Sequence, residues 1–292
     1  MMNQSNFLWQ AVFAASTATS IIVISVPAQA LQVTVQPSKP ALGDTLSIVV
    51  QSDSGTALTQ APTVKVNQQS FPAFRMSPNR WRALVPTTPL EKAGRRTLQV
   101  TGNGEGRNLL LWVSNRKFPI QSIWLPPGKD SDLSDAEFNR VDAFKKLVTP
   151  QKFWQGPFLR PNQGPLTTGY GIRRYYNGVF ANDYYHRGVD YAGGTGSPVI
   201  APAAGKVALV GRESQGFKVH GNVIGLDHGQ GVVSIYMHLS RIDVKEGNFV
   251  KPGQVIGAVG STGAATGPHL HWGLYVDGQA VDPGPWRESS FE

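Results

Sequence analysis

Short runs of alternating apolar and polar residues, separated by turn residues, dominate this chain, and a helical period surfaces clearly once. In the first third the runs fall at residues 31–35, 45–50, 63–66, 81–85, 96–100 and 109–113, with turns such as Leu42-Gly43-Asp44 and Gly102-Asn103-Gly104 between them. Six or seven strands in residues 31–115 predict an immunoglobulin-like β-sandwich. A proline-bearing extended connector follows at 118–128. Ser134 and Glu137 then form a capping-box pattern that predicts a helix over 134–148, stopped by Pro150. Its apolar face is predicted at Phe138, Val141, Phe144, Lys145 and Val148, which suits a docking helix with no catalytic part. Strand periodicity returns at 197–201, 205–210, 222–226, 232–236, 254–259 and 271–276. The predicted fold class is mainly β: a sandwich at 31–115, a connector with one helix at 116–150, a second β domain at 151–286 and a tail at 287–292.

The first thirty residues follow a different rule. Residues 7–26 are largely apolar and uncharged, and Ala28 and Ala30 form the small pair of an A-x-A cleavage site before Leu31. This predicts a signal peptide or an uncleaved N-terminal anchor, and either places the rest outside the cytoplasm, in the periplasm, the cell envelope or the extracellular space. Membrane contact is expected only through that segment. The absence of cysteine agrees with export and removes thiolates from any metal site. A formal net charge of +8 favours an anionic partner, but lysines and arginines never run longer than two, as at Lys145-Lys146 and Arg173-Arg174. Nucleic acid is therefore excluded as the expected partner.

The histidines carry the chemistry. All six lie after residue 185, and His186-x-x-x-Asp190, His238 and His269-Leu270-His271 hold four of them. Two imidazoles and a carboxylate with a spare imidazole supply the donors of a metal centre with an open position, and His238 suits a second base. His269 and His271 share one face of an extended strand, so one could bind metal while the other reaches a metal-bound water. His186 and Asp190 bracket a glycine-containing stretch that a curved strand or loop could aim inward. The repeated Gly-Lys-Val and Val-Lys-Pro-Gly hairpins also suit a lipoyl- or biotinyl-type carrier, but no lysine sits where a carrier needs it. His228 reads as a turn residue, and Asn182, Asp183 and His220 as loop or supporting residues.

Three ordered motifs, His186-x-x-x-Asp190, Tyr236-x-His238-Leu239 and Gly267-Pro268-His269-Leu270-His271, resemble the signatures of the lysostaphin-type zinc metalloendopeptidases. Those enzymes cleave peptide bonds in bacterial peptidoglycan. The likeness runs from Thr168-Gly169-Tyr170-Gly171 to Asp282-Pro283 and includes Asp227-His228-Gly229 and Gly260-Ser261-Thr262-Gly263. It implies a β-sheet groove on a duplicated-hairpin core, one Zn2+ per chain held by His186, Asp190 and His271, and His238 and His269 as the catalytic pair. It also implies peptidoglycan as the partner, with Arg173, Tyr184 and Tyr185 offered for substrate binding. No HExxH helix is present, which excludes the families built on that motif. A same-fold protein that activates another wall hydrolase is the alternative. The N-terminal sandwich would bind wall, act as a spacer, or lie across the groove.

Overall fold

The computed structural model describes residues 31–52, 58–124 and 133–291. The expected export segment at 1–30 lies outside the described residues. No helix among the described residues is long and apolar enough to cross a membrane.

Two four-stranded antiparallel sheets form the N-terminal sandwich. One runs Leu31–Gln36, Thr45–Ser52, Arg80–Pro86, Ala73–Ser77, and the other Gln69–Phe71, Thr63–Val66, Gly94–Gly102, Glu105–Val113. Leu46, Ile48, Val50, Val64, Leu98 and Val100 close its core. The sandwich docks firmly on the second domain. Arg82 is 1% exposed and donates to Gln230 Oε1 at 2.5 Å and to the Phe291 carbonyl, with its guanidinium over the Trp154 ring. Arg116 pairs with Asp282 at 2.7 Å, and Trp286 Nε1 donates to Thr45 Oγ1 at 3.1 Å. Phe291, in the expected tail, stacks on Trp286 at 4.1 Å.

The second domain is built on a long sheet in the order Leu166–Thr168, Val189–Ala192, His269–Val276, Val232–Met237, Val223–Gly229, Gly205–Gly211, Phe249–Val250. A three-stranded sheet of Pro198–Ile200, Val255–Val259 and Leu239–Ile242 packs against it. Part of the expected connector is also sheet. Ile120–Ile123 pairs in parallel with Arg173–Tyr176, which fixes the connector to the domain it precedes.

The helix spans Asp135–Lys145 and differs from its predicted face. Ser134 caps it by accepting from the Glu137 amide at 3.2 Å, but Glu137 does not return the bond. Its carboxylate is buried and accepts from the amides of Lys218, Val219 and His220 at 3.0, 3.1 and 2.7 Å, and from His220 Nδ1 at 2.7 Å. Burial alone would raise the carboxyl's pKa, yet these hydrogen bonds and the imidazole bring it below the usual range. Glu137, Val141 and Phe144 therefore face inward, while Phe138 and Val148 are exposed. The predicted face is rotated because a polar anchor, not an apolar stripe, sets it.

His228 is a strand residue at full burial. Its Nδ1 donates to the Ala204 carbonyl at 2.8 Å and its Nε2 accepts from Ser234 Oγ at 2.7 Å. Both nitrogens are used in the neutral ring, and burial pushes the pKa down to about 4.

Two outcomes follow from these anchors. Between pH ~6.5 and about 4 the unfolded His228 binds a proton that the folded residue refuses, so stability falls as pH falls through that window. Urea unfolding at stepped pH should show a slope contribution of up to ~1.4 kcal/mol per pH unit from this group. In His228→Gln that share disappears, and an unchanged slope would contradict the assignment. Glu137→Ala leaves buried amides and an imidazole without their acceptor, and should cost roughly 3 kcal/mol in urea unfolding; a loss below roughly 0.5 kcal/mol would show that the carboxylate is dispensable.

Candidate metal centre and cleft

The antiparallel register places Asp190 directly opposite His271 on the adjacent Val189–Ala192 and His269–Val276 strands. His186 arrives from the segment before the first of these strands. Its Nδ1 donates to the Gly169 carbonyl at 2.8 Å, so its Nε2 carries the lone pair. That Nε2 lies 3.0 Å from Asp190 Oδ1 and 3.0 Å from His271 Nδ1, and the last two are 2.9 Å apart. All three residues are buried.

This triangle fits a metal. Donors ~2.0 to 2.2 Å from a tetrahedral ion lie ~3.3 Å from one another, close to the edges observed. Two imidazole lone pairs and a carboxylate turned toward one point also need a cation or a proton between them. Burial, relieved by Asp190, lowers the His271 pKa to about 4, so that ring keeps its lone pair near neutrality. Although burial alone would raise it, the His186 and His271 rings beside its Oδ1 hold Asp190 well below the usual carboxylate range.

His238 and His269 form a second pair, with ring centroids 4.8 Å apart, and His238 lies 6.4 Å from the His271 ring. Backbone carbonyls orient both: His238 Nδ1 donates to Thr262 O at 2.8 Å and His269 Nδ1 to Gly267 O at 2.8 Å. Each ring is therefore left with a free-electron-pair Nε2. Burial, with His269 and His271 nearby, pushes the His238 pKa down to about 3 and keeps it neutral. His238 has φ 64°, an unfavourable backbone for a residue with a side chain, at the break between Val232–Met237 and Leu239–Ile242. Gly260 makes the break possible. A Cβ there would lie 2.4 Å from the Ser240 amide and 2.8 Å from the His238 carbonyl.

These side chains line a cleft of about 700 Å³. Of the residues expected to bind substrate, Tyr184 lines it, whereas Arg173 and Tyr185 are turned elsewhere. Arg173 donates to the carbonyls of Tyr184 and Asn182 at 2.9 and 2.6 Å. The Tyr185 hydroxyl donates to the Ala280 carbonyl at 3.1 Å, and its ring packs on Tyr170. Sequence reasoning passed over Arg174. Arg174 lies 3.8 Å from Asp190 Oδ2 and donates to the hydroxyls of Tyr176 and Tyr184 at 3.1 and 3.3 Å. His220 and Lys145 also reach the cleft wall. Thus the helix expected only to dock contributes Lys145 directly, and holds His220 through Glu137.

Comparison with known proteins agrees with this geometry. The family model for Peptidase family M23 matches residues 184–283. Curated relatives include the DD-carboxypeptidase/endopeptidase Mpg of Neisseria meningitidis, 46% identical over 34% of this chain and 22% of that protein, and lysostaphin of Staphylococcus simulans, 42% identical over 42% of this chain and 25% of that one. This chain spans only about a fifth of the length of the first curated relatives it matches, 22% and 20%. A crystal structure of a peptidase M23 from Pseudomonas aeruginosa is 30% identical, with TM-score 0.64, and the match covers 86% of this chain and 96% of that one. With the ligand triangle, the paired histidines and a likeness that extends over both domains, the chain belongs to the M23 peptidase family.

Proposed function

We propose that this protein is an exported zinc-dependent endopeptidase that hydrolyses peptide bonds in the stem peptides or cross-links of bacterial peptidoglycan. The observation that carries the reading is the convergence of His186 Nε2, Asp190 Oδ1 and His271 Nδ1 beside two further histidines in an open cleft. Two imidazoles and one carboxylate suit zinc, whereas calcium or magnesium would call for more oxygen donors. The activities for which relatives are named, among them the peptidoglycan DD-endopeptidase ShyC of Vibrio cholerae, support the substrate class. The apolar segment at 7–26 followed by Ala28 and Ala30 supports export. The alternative, a non-catalytic activator of another hydrolase, is not favoured, because every expected ligand and base position is filled.

Bound zinc would polarise the scissile carbonyl and make a water acidic enough to attack near neutral pH. The chain's own residues do the rest. His186, Asp190 and His271 hold the ion, with Arg174 beside the outer oxygen of Asp190 keeping that carboxylate ionised. Nε2 of one of His238 and His269 takes the proton from the attacking water, and the imidazolium so formed passes that proton to the leaving amine, while the other ring stays neutral beside it. Their Nδ1–H bonds to Thr262 and Gly267 hold the tautomer that this exchange requires. Tyr184, whose phenol is raised well above its ordinary pKa by burial, stays protonated and can donate to the developing oxyanion.

Residues 31–292 should release muropeptide fragments from purified peptidoglycan, and the fragment masses identify the bond. Chelation should stop release and zinc should restore it. His186→Ala should lose both metal and activity, while His269→Ala should keep one zinc per chain and lose roughly 10²- to 10⁴-fold in turnover. Undiminished digestion by His186→Ala, or an intact wall after incubation with the zinc-loaded protein, would contradict the proposal.

A further inference from the structure

The cleft is electrostatically lopsided. Its charged lining consists of Lys145, Arg174 and Arg187 against a single acid, Asp190. Arg174 is accounted for by that acid. Lys145 and Arg187 are not: among the described residues neither makes a salt bridge. Asp142, the acid that acts on Lys145, is bonded to Lys146 Nζ at 2.7 Å.

These two cations belong to one place. Tyr275 lies on the strand that carries His271, on the same face, and the Lys145 ammonium sits 5.1 Å from its ring centroid. The charge of Arg187 acts on the same phenol and on Lys145. The Arg187 guanidinium is held over the rings of Tyr184 and Tyr185 at 5.5 and 5.6 Å, which presents its planar fork in a set orientation. Gly273 leaves room for this arrangement, since a Cβ there would lie 3.1 Å from the Tyr275 ring. Burial, then the proximity of Arg187, lowers the Lys145 pKa to about 8, so the pair is charged at neutral pH at an electrostatic cost. An anion arriving through the cleft would remove that cost.

We propose that Lys145 and Arg187 form a carboxylate-binding subsite at the end of the cleft beyond His271, which receives a free carboxylate of the peptide substrate. The inference rests on the peptidase reading above and adds a determinant of specificity to it. Tyr275 lies four strand positions beyond His271, a span of ~13 Å. Allowing for the length of the two basic side chains, the bound carboxylate lies roughly two to four extended residues from the scissile bond. Such a carboxylate comes either from the C-terminus of a stem peptide or from an acidic side chain within it. A bidentate contact with Arg187 beside the Lys145 ammonium suits both.

The test uses zinc-loaded protein carrying His269→Ala, so that ligands are bound and not turned over, and calorimetry with a peptidoglycan stem tetrapeptide in three forms: free, C-terminally amidated, and side-chain amidated. One amidation should weaken binding roughly 10- to 100-fold, and which one does so identifies the source of the carboxylate. Lys145→Met and Arg187→Gln should each weaken the free peptide and erase the difference between the forms. In the chain with His269 intact, the same substitutions should raise KM and leave kcat within about threefold. Equal binding of all three peptides, no binding of any, or substitutions that lower kcat at constant KM would overturn the subsite. Discrimination by a protein that leaves peptidoglycan intact would instead defeat the proposed activity and leave the subsite standing.

Discussion

The site depends on one strand register, Asp190 opposite His271. Residues directly opposite in an antiparallel pair hold their Cβ atoms ~4.5 to 5.5 Å apart, which is what two ligands of one small ion need. A slip of one residue would set Asp190 against Leu270 or Trp272 and turn every flanking side chain to the wrong face. The core forbids that slip, because Val189, Tyr191, Leu270 and Trp272 alternate with the ligands and are buried on the other face. The chemistry of the cleft is thus a by-product of hydrophobic alternation: the apolar residues choose the register, and the register brings the donors together.

Around this pair the molecule holds its remaining polar parts through backbone anchors. Thr262 shows the economy of the arrangement: its carbonyl orients His238, while its hydroxyl accepts from Asn222 N and donates to Leu239 O, both at 2.9 Å. Glu137 does the same for the His220 segment. The N-terminal sandwich is placed by another logic. None of its described residues lines the cleft, and it meets the second domain through Arg82, Gly43 and Thr45 against Gln230, Asp282 and Trp286. Its described part therefore does not lie across the groove. Fixed where it is, it suits a platform that holds the cleft at a set angle to whatever the sandwich itself contacts.

What the sequence made legible, and what it hid, follows from the range of the forces involved. Period-two alternation marks most strands and is enough by itself to put His269 and His271 on one face. Ala73–Ser77 escaped because Pro72 and the mixed run Ala73-Phe74-Arg75-Met76-Ser77 carry little alternation, and its place comes from pairing with Arg80–Pro86. Arg173 and Arg174 could not be told apart, since Arg173-Arg174-Tyr175-Tyr176 presents the same residue types to both faces. The parallel pairing with Ile120–Ile123, far back in the chain, sets which arginine reaches Asp190. Glu137 was read as a local capping residue because the capping pattern is short-range, whereas the amides that claim its carboxylate lie more than eighty residues away.

The most direct test of the ligand triangle is anomalous diffraction at the zinc edge from crystals of the zinc-loaded protein. A single strong peak per chain within ~2.0 to 2.2 Å of His186 Nε2, an Asp190 carboxylate oxygen and His271 Nδ1 is the result this account predicts. A peak ligated by His238 or His269, or none between the Val189–Ala192 and His269–Val276 strands, would contradict it.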